Sequence, residues 1–241
     1  MKKLIKITIV AFLALFIQNV NAQTFGLKAG FNLATMHEMD LQYTYSNNYS
    51  FNPGFHAGFT LDLPFSEVFS FQPELLFSTG GTKYEVSQSG TDLSGKANLY
   101  YIEVPLNLKL GIKLDRRGKN KLFFTGGPYF AYGITGKVEA IITTSGQSES
   151  ASEDVKWGDD ATEDNFKPFD YGMDIGAGFE FGALSLGASY DFGFANISAN
   201  QENGLLAQNR VLKISVGYLF KGNSRGGYGG GYSKGHKRRR R

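Results

Sequence analysis

From Thr24 to Phe220 the chain repeatedly alternates apolar residues with polar or small ones at every second position. Successive side chains leave a β-strand on opposite faces, so this period predicts strands. Eight stretches carry it: residues 24–35, 52–63, 68–80, 99–113, 121–135, 169–181, 183–194 and 211–220. The clearest is 99–113. There Ile102, Val104, Leu106, Leu108, Leu110 and Ile112 share one face, and Glu103, Asn107, Lys109, Gly111 and Lys113 the other. The stretch 121–135 is aromatic on both faces, which leaves its register open.

The connections narrow the fold. Long segments (36–51, 81–98, 136–168 and 195–210) alternate with short turns near 64–67, 115–120 and 182–183. An outer-membrane β-barrel has this rhythm, with long loops outside and short turns in the periplasm, and an even strand number puts both termini in the periplasm. A soluble lipocalin-like barrel or sandwich would show the same period with inside and outside exchanged. Two features favour the membrane. The polar face is rich in Gly and Ser with scattered charges of both signs, which suits a tight interior. Aromatics such as Phe25, Phe55, Phe69, Tyr132, Phe181 and Phe220 gather near strand ends on the apolar face, as interfacial girdles do. The expected fold class is therefore all-β: an eight-stranded antiparallel up-and-down transmembrane β-barrel with long extracellular loops, short periplasmic turns and a disordered C-terminal tail.

The two ends read differently from the body. Lys2 and Lys3 precede an apolar run from Ile7 to Ile17, and Val20 and Ala22 sit at the −3 and −1 places of a small-residue cleavage site. This predicts a cleaved signal peptide over residues 1–22 and a mature start at Gln23. The apolar run is too short to span a bilayer as a helix, which takes about 20 residues. Residues 221–241 hold eight Lys or Arg and no acid, in a Gly-rich setting, and read as a disordered basic tail. The formal net charge of +3 comes from these ends. Of 25 basic residues, three lie in 1–22 and eight in 221–241, so the barrel domain at 23–220 carries 14 against 22 acids.

Composition removes whole classes of chemistry. With no Cys there is no disulfide scaffold, thiol nucleophile, Cys–zinc site or iron–sulfur cluster. His37, His56 and His236 are too far apart for a local metal motif, and no nucleophile signature accompanies them. No catalytic residue, metal ligand or cofactor is predicted. Segment 136–168 holds Glu139, Glu149, Glu153, Asp154, Asp159, Asp160, Glu163 and Asp164 around Trp157. Such oxygen ligands suit Ca²⁺, but the spacing fits no calcium-loop motif, and a mobile solvated loop is the expectation.

Charges on the inward face are the candidate site. They are Lys28, His56, Asp62, Glu74, Glu103, Lys109, Asp170, Asp174, Glu180, Asp191 and Lys213, seven acids against three lysines and one histidine. A buried charge costs several kcal/mol unless paired. The expectation is a salt-bridge network plugging a barrel too narrow for an open pore. A proton or ion path is the competing reading. In the tail, Lys234, Lys237, Arg238, Arg239, Arg240 and Arg241 would attract polyanions such as phosphorylated lipid A.

Three stretches carry a family resemblance: Phe25-Gly26-Leu27-Lys28-Ala29-Gly30-Phe31-Asn32-Leu33-Ala34, Pro53-Gly54-Phe55-His56-Ala57-Gly58 and Tyr101-Ile102-Glu103-Val104-Pro105-Leu106. Over residues 24–220 the chain resembles the PorT-type outer-membrane β-barrel family. The resemblance implies an eight-stranded barrel in the outer membrane of a Gram-negative bacterium. The founding member is linked to protein secretion, and most relatives have no assigned activity. The basic tail departs from the family pattern, in which the chain ends at the last strand. The expected function is a non-enzymatic outer-membrane barrel with a structural, adhesive or partner-complex role. A transport or PorT-like secretion component is the alternative, and a membrane-embedded hydrolase ranks third. Expected partners are outer-membrane lipid and lipopolysaccharide, the barrel-assembly machinery during biogenesis and a secretion-complex protein, with no nucleic acid.

Deleting residues 222–241 should leave the barrel folded, because the tail has no apolar period with which to bury a core. The truncated protein should bind anionic vesicles more weakly than the full chain, by a margin that shrinks as salt rises. Equal binding at low salt in a vesicle flotation assay would show that the tail is no electrostatic anchor.

Overall fold

The computed structural model describes residues 23–88, 91–144 and 147–220; the signal peptide and basic tail expected from the sequence lie outside these. The described strands are β1 (Thr24–Met39), β2 (Tyr49–Ser50), β3 (Asn52–Pro64), β4 (Phe69–Gln88), β5 (Thr91–Lys113), β6 (Asn120–Thr144), β7 (Gln147–Asp154), β8 (Phe169–Phe181), β9 (Leu184–Gly193) and β10 (Leu206–Phe220). Eight of them close a ring in the order β4-β3-β1-β10-β9-β8-β6-β5, with β5 pairing back to β4. All neighbours are antiparallel, and first meets last from Phe25↔Phe220 up to Met39↔Leu206. Ring closure leaves these strands no free edge, so their amides and carbonyls are satisfied without water. A sheet crossing a bilayer must meet that condition.

Burial decides which face is which. Leu108 is 58% exposed while its neighbour Lys109 is 4% exposed. The same inversion runs along β10, where Ile214, Val216, Tyr218 and Phe220 are exposed and Lys213 is buried. A soluble barrel would do the reverse, so the outer wall is built for hydrocarbon. Its aromatics stack in rows near the strand ends. Phe25 stacks between Phe59 and Phe220 at one end, with ring centroids 5.6 and 5.9 Å away. Towards the other end Phe77 lies 5.7 Å from Phe55 and 5.8 Å from Tyr100.

The short turns use local chemistry. In the β5–β6 turn the Asp115 carboxylate accepts the backbone N–H groups of Asn120, Arg117 and Lys119 at 2.7, 2.8 and 3.1 Å. The bonds from Asn120 and its neighbours hold the Asp115 carboxyl below the usual carboxylate range. Gly118 there and Gly182 between β8 and β9 have φ of 62° and 64°, the left-handed region that glycine occupies without strain.

Two of the expected loops are not loops. Segment 81–98 continues the β4–β5 ladder from Gly81↔Asn98 outward. Segment 136–168 begins as β6, which pairs with β7. Beyond the bilayer the outward row meets water, so Lys83, Glu85 and Lys96 take the places that Phe77 and Ile102 hold below, and the alternation changes phase while the backbone pairing persists. The open register of 121–135 also resolves. Phe123, Tyr129 and Ala131 point in, Phe124, Phe130 and Tyr132 point out, and the register shifts once between Tyr100 and Tyr101 on the facing strand.

Leu108→Arg would put a cation on the lipid face near mid-strand. It should cost about 2–4 kcal/mol in reversible refolding from urea into bilayers. A loss under 0.5 kcal/mol, the level of an ordinary surface substitution, would contradict the lipid-facing assignment.

Candidate functional site

Inward-pointing positions recur every second residue, so the ring collects them in one shaft. Nine of the eleven charged residues picked out from the sequence are buried there; Lys28 and Asp62 are half-buried. They form three ion clusters rather than one continuous network. On β10, Lys213 bridges Glu103 of β5 and Asp191 of β9, the latter at 2.6 Å. Asn107 donates to Asp174 at 2.6 Å, extending this cluster along the shaft. Lys109 bridges Glu180 and Asp62, the latter at 3.0 Å, and its ammonium lies 5.1 Å from the Phe123 ring centroid. Lys28 pairs with Glu74 at 2.7 Å.

Two predicted members have neutral partners instead. His56 shares a 2.6 Å bond through Nδ1 with Asn32 Oδ1 and a 2.9 Å bond through Nε2 with the Ser215 hydroxyl. Its ring lies across β1 where a Cβ on Gly30 would come within 2.5 Å of it, so glycine is required at that crossing. Asp170 accepts from Asn209 at 2.9 Å and from the Tyr129 hydroxyl at 3.3 Å. Asn209 also donates to the Tyr101 hydroxyl at 3.1 Å. The neutral residues Asn32, Asn107, Tyr129, Asn209 and Ser215 were missed by a search for charge. Apart from Tyr129, whose stretch leaves its register open, they share strand parity with the charged residues, and that parity is the available signal.

Above the charges the shaft turns apolar. Met36, Leu99, Tyr101, Tyr129, Val155 and Ile197 are core residues of one buried cluster, with Trp157 and Phe166 packed against it. Trp157 meets the Tyr101 ring edge-on at 5.6 Å. The acidic segment is therefore not a uniformly solvated loop. Glu149, Glu153 and Asp154 ride on the exposed strand β7, while Val155, Trp157 and Phe166 fold inward over the mouth. Segment 195–210 joins them through Ile197, which sits in the same cluster and whose carbonyl accepts the Lys167 N–H at 2.8 Å.

What space remains is small. A cavity of about 40 Å³ is lined by Lys28, Glu74, Asn107, Thr125 and Ser189, and a gap of about 10 Å³ lies among Ser78, Glu103, Asp170 and Asn209. A water needs roughly 10–15 Å³ of such volume, so these spaces suit a few waters. The arrangement can hold charges in fixed positions and brace the wall. His56 and His37 offer no acid-paired imidazole: the ring nitrogens of the first bond Asn32 and Ser215, and Nδ1 of the second lies 3.4 Å from the Ser46 hydroxyl.

The family model described as outer membrane protein beta-barrel domain matches residues 18–199. Among solved structures, the chain is similar to OprG of Pseudomonas aeruginosa, with 11% identity over 84% of this chain and 98% of that one and a TM-score of 0.44. It is also similar to Ail, the attachment invasion locus protein of Yersinia pestis, in complex with the heparin analogue sucrose octasulfate. That pair shares 14% identity over 83% and 99% of the two chains, with a TM-score of 0.38. Neisserial surface protein A gives 11% identity over 82% and 97%, with a TM-score of 0.35. No curated protein matches the sequence.

Lys213→Met would strand Glu103 and Asp191 in the shaft. Breaking a buried pair in this way should cost about 3–5 kcal/mol. Adding Glu103→Gln and Asp191→Asn should recover part of that loss in a urea refolding series. A silent Lys213→Met would contradict the bracing role.

Proposed function

Because the chain belongs to the outer membrane protein beta-barrel domain family, we propose that it works as a non-enzymatic, non-conducting barrel. In this reading it holds a polar extracellular sheet at the cell surface for adhesion or contact with a partner. One observation carries the reading: the shaft is filled by paired charges and closed above by an apolar cap. Binding surface is then available outside the bilayer, on the extensions of β4 to β7. The pairing of Phe25 with Phe220 brings both ends of the ring to the short-turn side, which supports periplasmic termini. The signal peptide at 1–22 and the basic tail at 221–241 complete the proposed organisation. Lipopolysaccharide and the barrel-assembly machinery are its proposed partners in the membrane and during insertion.

A PorT-like secretion component is the second reading. The stretches that carry the resemblance lie on β1, β3 and β5, and each supplies interior residues: Lys28 and Asn32, His56, and Glu103.

Refolded full-length protein in a planar bilayer at high KCl should give no stable conductance steps, whereas a porin in the same chamber does. Steady ohmic steps from the wild-type chain would overturn the filled-shaft reading in favour of transport.

A further inference from the structure

On the outer wall, above the apolar band, an open cleft of about 590 Å³ is lined by His37, Ser46, Tyr49, Phe51, Tyr190 and Arg210. The side-chain parity of β10 places Arg210 on the lipid-facing row with Ile214, Val216, Tyr218 and Phe220. From Leu212 to Phe220 that row is nine residues long, the length of strand that crosses hydrocarbon. Arg210 is the next outward position, so it stands where lipid headgroups begin. Its partner across β9 is Phe192, whose ring lies 4.5 Å from that of Tyr190. On the other side it pairs with Thr35 of β1.

The charge of Arg210 is unmatched. The inward lysines Lys28, Lys109 and Lys213 all contact carboxylates. Among the described residues Arg210 has no carboxylate partner. Its guanidinium donates to Gly193 O at 2.6 Å, Asn209 O at 2.9 Å and Gln208 Oε1 at 2.9 Å. These three bonds fix the group and leave two of its five N–H donors unused. The segment roofing the cleft is also tied down. Asp40 accepts the Tyr45 hydroxyl and the N–H groups of Gln42 and Tyr43, each at 2.7 Å, and the Tyr49 hydroxyl donates to Glu38 at 2.5 Å.

We propose that this cleft binds the phosphate of an outer-leaflet lipid, with Arg210 as the charged anchor and His37 and Ser46 as neighbouring polar groups. The guanidinium fork matches the paired oxygens of a phosphate, and a pre-positioned one loses little freedom on binding. The apolar seam below, formed by Leu33 and Leu212, takes the acyl chains. A soluble phosphate would gain nothing from that seam. The inference rests on the outward placement of the long segments and is independent of the filled shaft.

The test uses full-length protein in phosphatidylcholine nanodiscs containing a small fraction of bisphosphorylated lipid A, with retained lipid counted by native mass spectrometry. Wild type should retain about tenfold more lipid A than Arg210→Gln, a factor worth ~1.4 kcal/mol. Arg210→Lys should fall between them, and Arg116→Gln, on the opposite rim, should match wild type. His37→Ala leaves the hydrogen bonds of Arg210 in place and should lose retention severalfold while the protein stays folded, as read by heat-modifiable gel mobility. Dephosphorylated lipid A should not be retained above background. Equal retention by Arg210→Gln and wild type, or equal retention of the dephosphorylated lipid, would overturn the proposal. Inorganic phosphate binding to the detergent-solubilised protein as tightly as lipid A would overturn the lipid assignment in favour of a soluble-phosphate site.

Discussion

Hydrocarbon offers a peptide group no hydrogen-bond partner, and the rest of this structure follows from that constraint. A sheet edge cannot be left open in a bilayer, so β1 must meet β10 and the eight strands must close. Closure gives the sheet an inside and an outside. Period-two alternation then sends most apolar side chains of the spanning segments to lipid and the charged ones into a shaft. With only eight strands the shaft is narrow enough for side chains to fill. The identity of its contents becomes a packing problem as much as an electrostatic one.

The contents meet that problem with three lysines among seven acids. Lys213 and Lys109 each contact two carboxylates donated by different strands. Each therefore ties wall elements together that are distant along the chain. Such pairs gain little net stability over apolar filling, and losing one partner is what costs. Their effect is to hold particular strands in particular relations across the shaft. Neutral groups complete the set, with Asn209 linking Asp170 to Tyr101. The rings of Tyr101 and Tyr129 then carry the polar interior into the apolar cap at the mouth. The filled shaft and the sealed mouth are thus one connected structure.

The spanning part of this fold was legible in the sequence because the bilayer enforces the alternation. Ile102 to Ile112 show it without interruption, and the inward charges fall on the opposite parity. Outside the bilayer that enforcement ends. In the β4–β5 extension the backbone pairing continues, but Lys83, Glu85 and Lys96 occupy the row that is apolar within the bilayer, so the pattern of the spanning part does not carry on into it. Trp157 and Phe166 lie in an acidic stretch with no local sign of folding inward, since the cluster they pack against, Tyr101 included, is distant in sequence. The grouping of charges was not legible either. Which lysine reaches which acid depends on strand stagger around the ring, and that quantity has no local signature. Asp170 looked like an ion-pair member by parity, yet its neighbours across the shaft are an amide and a phenol.

The central claim is that polar residues fill the inside of a closed ring and apolar ones face lipid. The chain contains no cysteine, so single cysteines can be placed without background. The most direct measurement is a spin-label scan of β10 in bilayers, residue by residue from 211 to 219, comparing relaxation by lipid-soluble oxygen and by a water-soluble nickel chelate. The account predicts strong oxygen access at 212, 214, 216 and 218, and little access of either reagent at 211, 213, 215 and 217. High nickel access at 213, 215 and 217 would mean a water-filled shaft and would contradict the account, as would oxygen access without a period of two.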